Sequence, residues 1–245
     1  MTRLIRAEIK KLTSTLGFWI AMAVIGALCP LAAVANVFSH QGYTLGSTEH
    51  IHHVLAVSAI TSLAMLAIGI ITMAGEYRHG TIAPTFLVTP KRHRVVAAKV
   101  ITVGGTGAVV GAAAFLLALA VAVPTLSTKG VHHLSGDIPQ LLVGTALATG
   151  LFGILGVAVG ALFRNTVIAM VVALGWAWIV EAAILQAFAP QVDKWLPTGA
   201  NLALTRSATV TNDLLNPWAA AVILVGYAVL LSGAATRFTV RRDIA

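Results

Sequence analysis

Charged residues are scarce in this sequence. Only 10% of its 245 residues are Asp, Glu, Lys or Arg, whereas 58% are hydrophobic. A soluble domain of similar length carries about 25% charged residues. This composition excludes an ordinary water-soluble globule and indicates that much of the chain is surrounded by lipid.

Cysteine and phosphate-binding motifs are also lacking. Cys29 is the single cysteine, so an intrachain disulfide is excluded, and we interpret Cys29 as a small buried hydrophobe. No Gly-x-x-x-x-Gly-Lys-Ser/Thr loop is present, and the glycine-rich run 104–107 has no lysine, so nucleotide binding there is not expected. We interpret these glycines, with Gly111, Gly156 and Gly160, as surfaces for close contact between helices.

Six apolar runs are each long enough to cross a bilayer. The hydrocarbon core is about 30 Å thick, and an α-helix needs about 20 residues to cross it. With no internal repeat or low-complexity tail, the sequence predicts a single all-α polytopic membrane domain over 1–245. The predicted spans are 17–38, 51–75, 99–123, 138–163, 166–189 and 217–237.

The basic residues predict the orientation of these spans. If the N-terminus is cytoplasmic, all but three of the 16 Lys and Arg residues lie in cytoplasmic segments, and the exceptions are Lys129, Lys194 and Arg206. By the positive-inside rule, both termini are expected in the cytoplasm and the protein in the cytoplasmic membrane. We therefore assign the basic residues to membrane orientation rather than to nucleic-acid binding.

Residues 1–16 form an amphipathic pattern ahead of the first span. Four apolar residues recur at helical spacing and form one stripe, namely Ile5, Ile9, Leu12 and Leu16. Basic residues, among them Arg6 and Lys10, occupy the other sides. The pattern predicts a helix in the cytoplasmic interface, with its basic side toward anionic headgroups. A secretory signal peptide is the alternative, because residues 33–35 resemble a cleavage site.

The segment 76–94 follows the second span and is predicted to be cytoplasmic. Its apolar residues, such as Phe86, are expected to pack on the membrane surface or on a partner. Glu76 and Arg78 lie where the chain leaves the bilayer, and we expect an ion pair between them. An ordinary loop with positive-inside charges is the alternative.

The run Glu-Tyr-Arg-His-Gly-Thr at 76–81 resembles the Glu-x-Arg-x-Gly-Thr signature of ABC-2 type permeases, the membrane subunits of ATP-binding cassette exporters. The layout is similar too: an N-terminal elbow helix, six spans and an external segment, here 190–216, before the last span. The resemblance implies the ABC-2 (type V exporter-like) transmembrane domain. The motif covers a short run, whereas the layout covers essentially the whole chain.

The resemblance also implies roles for particular residues. The segment would open a coupling helix that contacts a separate ATPase subunit, through Glu76, Tyr77, Arg78, Gly80, Thr81 and Phe86. Arg6 and Lys10 are the candidate residues of the elbow helix. A second permease chain, identical or different, would complete the transporter. ATP and Mg²⁺ would bind to the ATPase subunits, and this chain would hold no cofactor.

Three further residues are candidates for the translocation path. In the family that this chain resembles, the second and fifth spans line the path, which makes Met65 and Trp176 candidate wall residues. Glu181 is the acidic residue well inside a predicted span, where an ionisable side chain usually faces a cavity or a partner. Packing or lipid contact for Met65 and Trp176, and an interfacial position for Glu181, are the alternatives.

The sequence thus predicts a permease subunit, itself not an enzyme, that exports an amphiphilic or hydrophobic compound such as a drug, antibiotic, peptide or lipid. Two other functions remain as alternatives: an ion-coupled secondary transporter with Glu181 as the carrier, and a non-transporting scaffold or immunity protein. The histidines on the predicted outer side could bind a metal. Because no cysteine or ordered carboxylate completes such a site, we expect none.

Overall fold

The computed structural model describes residues 1–39, 43–80, 92–134, 136–206 and 214–241. All regular secondary structure in these ranges is helical. The helices are α1 (Thr2–Thr13), α2 (Leu16–Phe38), α3 (Thr48–Val54), α4 (Ser58–Arg78), α5 (Arg92–Thr128), α6 (Ile138–Phe163), α7 (Thr166–Gly175), a π-helix (Trp176–Leu185), α8 (Gln186–Phe188), α9 (Pro190–Asp193), α10 (Pro197–Leu204) and α11 (Pro217–Arg241).

Five stretches of the described chain are long and apolar enough to span a bilayer: α2, α3 with α4, α5, α6 and α11. The protein is therefore an all-α polytopic membrane protein, as predicted. The remaining predicted span, 166–189, is helical but is not one α-helix, because the backbone changes from α to π at Trp176. Within the π-helix, Glu181 is buried, whereas Trp178 and Ile179 are exposed.

Two helix boundaries differ from the prediction in ways that matter for the site. The predicted span 51–75 is divided, since α3 ends at Val54 and α4 begins at Ser58 and continues to Arg78. The helix α5 begins at Arg92, ahead of the predicted start at 99, so that Lys99 lies about two turns inside it. At the end of α4 and at the start of α5, the helix includes polar residues that lie beyond the apolar run from which the span was predicted.

Glycines let α6 pack closely against α4 and α5. A Cβ atom at Gly156 would collide with the carbonyl oxygen of Leu66, and one at Gly160 would lie 2.9 Å from that of Ile70. On the α5 side, a Cβ at Gly107 would lie 2.9 Å from the Cα of Gly150. These contacts confirm the helix-contact interpretation, except at Gly105, which has open space. Cys29 is buried, as predicted.

The end of the bundle where α4 ends and α5 begins is called the base here. The first helix packs at this end: Leu12 contributes to an apolar cluster with Ile68 and Met73 of α4 and Val96 of α5. The indole of Trp19 in α2 donates a 2.8 Å hydrogen bond to the carbonyl of Thr13, which holds the bend between α1 and α2. Consequently, α1 lies against the helices that flank the segment 79–91.

Candidate functional site

Four charged side chains meet at the base, and we call them the base cluster: Glu8, Lys11, Glu76 and Lys99. Glu8 and Lys11 lie on the side of α1 that faces the bundle, Glu76 lies in the last turn of α4, and Lys99 projects from α5. The base cluster therefore joins three helices that are distant in the sequence. It also brackets the segment 79–91, because Glu76 precedes it and Lys99 follows it.

Two lysines bridge two carboxylates in the base cluster. The Nζ atom of Lys99 lies 2.6 Å from Oε2 of Glu8 and 3.0 Å from Oε1 of Glu76. The Nζ atom of Lys11 lies 3.0 Å from Oε1 of Glu8 and 2.8 Å from the same Oε1 of Glu76. Each lysine contacts both carboxylates, so a displacement of any one of the three helices alters several ion pairs at once.

Burial makes these ion pairs more consequential than those on a surface. The side chains of Glu8 and Lys99 are only 2% and 1% exposed, and that of Glu76 is 10% exposed, whereas that of Lys11 is 47% exposed. Two positive and two negative charges sum to zero, which is the condition under which buried charges are tolerated. Lys11 is the member of the base cluster that water reaches most easily.

The prediction of an ion pair between Glu76 and Arg78 is wrong. Both residues belong to α4, and side chains two positions apart on a helix do not face each other. Glu76 turns into the bundle toward Lys11 and Lys99, while Arg78 is exposed and forms no ion pair with another described residue. The expectation placed residue 76 after the end of the second span, whereas helix α4 continues to Arg78.

The structure locates the other candidate residues of the coupling segment and of α1 as follows. Tyr77 is half-buried and its ring lies 5.2 Å below the guanidinium of Arg164. Gly80 has a φ angle of +67°, a left-handed conformation that favours glycine directly after α4. Thr81 and Phe86 lie outside the described residues. Arg6 and Lys10 are both exposed.

Glu8, Lys11 and Lys99 were not among the predicted site residues. One signal was available for Glu8: it is the only acidic residue among the first 48, in a segment otherwise rich in basic residues. Lys99 interrupts an apolar run, which the positive-inside rule explained without a partner. The buried side of α1 also differs from the predicted stripe, because Glu8 and Leu12 are buried whereas Ile9 and Leu16 are exposed.

Lys11 predicts how the base cluster responds to alkaline pH. Burial alone would lower the pKa of Lys11, but hydrogen bonds and charges from Glu76 and Glu8 raise this pKa above the ordinary 10.5. A raised pKa in the folded state means that the stabilisation is complete below the unfolded-state pKa and is lost as the pH rises through the folded-state value. Lys11→Met should therefore be less stable than the wild type at neutral pH, and the difference should shrink above about pH 10.5.

Thermal unfolding of the purified chain across this pH range measures the effect. Lys10→Met is the matched control, because Lys10 is the exposed neighbour in α1. A Lys11→Met deficit that is equal at neutral and alkaline pH would contradict the expected linkage.

The candidate residues of the translocation path lie in different environments. Met65 is fully buried between α4, α5 and α6 and does not reach the surface of the single chain. Trp176 is half-exposed at the start of the π-helix. Glu181 is buried, and its Oε2 accepts a 2.7 Å hydrogen bond from the backbone N–H of Thr198 at the start of α10. The structure therefore brings the indole of Trp176 within hydrogen-bonding reach of the Glu181 carboxylate, whereas Met65 packs in a different cluster.

A second polar group lies at the end of the bundle opposite the base. The carboxylate of Asp137 accepts a 2.8 Å hydrogen bond from the guanidinium of Arg206, and Nε2 of His52 lies 3.6 Å from the same oxygen. No three His, Cys, Asp or Glu side chains within the described ranges are grouped so that they could hold a metal ion. This group joins the loop before α6 to the residues after α10.

No protein-family model matches the chain, and no curated protein matches it.

Proposed function

We propose that this chain is the permease subunit of an ATP-driven exporter of the ATP-binding cassette class. The observation that carries the proposal is the base cluster, which ties α1 to both helices that flank the segment 79–91. The Glu-x-Arg-x-Gly-Thr resemblance at 76–81 begins in the last turn of α4 and continues into that segment. In the proposal, an ATPase subunit grips the segment from the cytoplasm, which requires the orientation that the basic residues predict.

The base cluster suits a mechanical role. Buried charge clusters have discrete arrangements, because partial separation leaves charges without partners. A push on the segment 79–91 would move the ends of α4 and α5 together, and Glu8 and Lys11 would pass this movement to α1. Because α1 continues through the bend at Thr13 into α2, the movement reaches a full span.

The cargo in this proposal is amphiphilic or hydrophobic and passes between two permease chains. The apolar surface of α7 and the π-helix supports this choice, since Val171, Trp176 and Trp178 are all exposed on the single chain. ATP and Mg²⁺ would bind to the partner ATPase subunits. The second permease chain would be a copy of this one or a related chain.

The key test is the uncoupling of transport from ATP hydrolysis. We expect Glu76→Ala to reduce transport in reconstituted vesicles by at least about tenfold relative to ATP hydrolysis, because the link between the segment and α1 is cut. Membrane insertion should be retained, since the apolar spans are unchanged. Transport and hydrolysis are measured on the same vesicles that contain the chain and its ATPase.

Glu49→Gln is the control for this test. Glu49 is exposed, and it lies in α3 at the opposite end of α4, about 30 Å from the base. The variant removes a carboxylate charge without touching the base cluster, so transport per ATP should not change. Wild-type coupling in Glu76→Ala would remove the proposed role of the base cluster.

Glu181 supports a second candidate, an ion-coupled secondary transporter. Its carboxylate is buried within an apolar helix, which is the usual environment of an ion-carrying side chain in transporters. Transport that persists after ATP depletion, while the proton gradient is intact, would favour this candidate over the exporter. Co-purification of an ATPase whose turnover rises with cargo would count against both this candidate and a non-transporting scaffold.

A further inference from the structure

A cavity of about 500 Å³ opens beside the base cluster. Its walls are the end of α1, the start of α2 and the last three turns of α4, and Lys99 of α5 reaches it from the side. Most of the wall is apolar, with Leu12, Phe18, Ile68 and Ile71 among its residues. Glu76 and Lys11 form a polar end. The cavity thus has the apolar body and polar end that an amphiphile requires.

The position of the cavity matches one leaflet of a bilayer. Along α4 its lining extends from Ile68 to His79, which corresponds to about 16 Å of helix. One half of the hydrocarbon core is about 15 Å thick. Ile71 is 45% exposed on the outer side of α4, so the cavity opens sideways toward lipid. A molecule in that leaflet can therefore enter without passing through water.

The volume limits the occupant to a small molecule or a single apolar tail. Ligand pockets of about 300–1,000 Å³ typically enclose one drug-sized molecule. A cavity of about 500 Å³ that is one leaflet deep therefore favours a compound with one tail over a lipid with two.

The polar end lacks a hydrogen-bond donor for one buried atom. Oε1 of Glu76 contacts both lysines, but Oε2 is buried and has no hydrogen-bond partner among the residues that the structure describes. The Nζ atom of Lys99 already faces Glu8, Glu76 and the carbonyl of Thr72. A buried carboxylate oxygen without a donor costs free energy, so a ligand that donates to Oε2 is favoured.

Charge decides which kind of donor fits best. The base cluster sums to zero, so a charged headgroup of either sign would leave a net charge in a largely apolar cavity. A carboxylate headgroup would also face Oε2 of Glu76 and repel it. A hydroxyl donates a hydrogen bond and adds no charge. His79, the remaining ionisable residue in the lining, is exposed at the rim.

From these observations we infer that the cavity binds a neutral, single-tailed amphiphile whose hydroxyl headgroup donates to Oε2 of Glu76. The tail lies along Phe18, Ile68 and Ile71. The site lies within one chain, beneath the bend between α1 and α2. It does not depend on the proposed exporter function, because binding to the purified chain requires neither an ATPase nor transport.

The test uses a monoacylglycerol with a photoreactive diazirine in its tail, bound to the full-length chain in lipid nanodiscs. Labelled peptides are mapped by mass spectrometry, and labelling is expected at the cavity wall formed by Phe18, Ile68 and Ile71. Unlabelled competitors share the same tail and differ only in the headgroup. The four headgroups are glycerol with both hydroxyls unmodified, glycerol with both hydroxyls methylated, a primary amine and a carboxylate. A diacylglycerol competitor distinguishes a two-tailed bilayer lipid from a single-tailed compound.

Two glycines provide variants that fill the cavity. Gly75 and Gly17 both line it, and a Cβ at either would meet no atom within 4 Å, so a larger side chain has room to extend. We expect Gly75→Leu to weaken labelling by about tenfold. Gly17→Leu, on the opposite wall, should do the same and serves if Gly75→Leu fails to fold. Gly26→Leu is the control, because Gly26 has open space but does not line the cavity.

The outcomes separate the parts of the inference. Three results together would support the inference. The competitor with the unmodified glycerol headgroup competes strongly, the other headgroups and diacylglycerol compete weakly, and labelling is lost only in the variants that fill the cavity. Labelling that persists in both filled variants would overturn the site. Equal competition by the methylated headgroup, or stronger competition by the amine or carboxylate, would overturn the hydroxyl assignment. Equal competition by diacylglycerol would overturn the single-tailed occupant.

Discussion

Lys99→Ala should lower the free energy of unfolding by about 3–5 kcal/mol, because it removes one partner from a buried group of charges. Lys99 is 1% exposed and pairs with both Glu8 and Glu76. Without its ammonium, two buried carboxylates face one lysine, Lys11, which is half-exposed. The loss of the buried aliphatic stem adds a packing cost. Unfolding of the purified chain by a graded denaturant measures the change.

Two comparison variants distinguish the effect of leaving a buried charge without a partner from the effect of removing any lysine. Lys10→Ala removes an exposed lysine from α1 and should change stability by less than about 0.5 kcal/mol. The double variant Glu8→Gln/Lys99→Met leaves Lys11 to pair with Glu76 and buries no unpaired charge, so it should be more stable than Lys99→Ala alone. If Lys99→Ala behaves like Lys10→Ala, the base cluster does not hold these helices together.

Alanine at Gly156 and alanine at Gly105 should have opposite effects on stability. At Gly156 the added methyl group collides with the carbonyl oxygen of Leu66 and lies 3.1 Å from the Cα of Gly69, so α4 and α6 must separate. This overpacking should cost about 1–3 kcal/mol. At Gly105 the methyl group meets no atom within 4 Å, and Gly105→Ala should stabilise the helix by about 0.4–1 kcal/mol.

The same denaturant unfolding experiment compares the two glycine variants. Because both substitutions add one methyl group to a helical glycine in an apolar run, differences in hydrophobicity largely cancel. Equal effects at Gly156 and Gly105 would show that α4 and α6 do not pack through these glycines. We expect Gly156→Ala to remain destabilised, because the added methyl group meets backbone atoms, which cannot move aside as a flexible side chain can.

The base cluster illustrates why part of the site escaped prediction. Glu8 and Lys99 are separated by 91 residues and Lys11 and Glu76 by 65, so their pairing depends on how three helices pack. Hydrophobic pattern indicates that a helix exists but not which neighbour its polar side chains face. The expected pair of Glu76 with Arg78 considered only neighbours in sequence. Continuation of α4 through both residues directs them to different sides.

The sequence by itself determined the class of the protein and the position of most of its long helices. Few charges and long apolar runs leave a helical chain in lipid as the solution that satisfies the backbone, and glycines spaced four residues apart mark the faces that can approach closely. Only the tertiary structure decided which charges are buried together, where the predicted fifth span changes to a π-helix, and that a cavity lies beside α1. These features depend on the relative placement of distant helices, because an ion pair or a cavity wall requires atoms from segments that no local pattern connects.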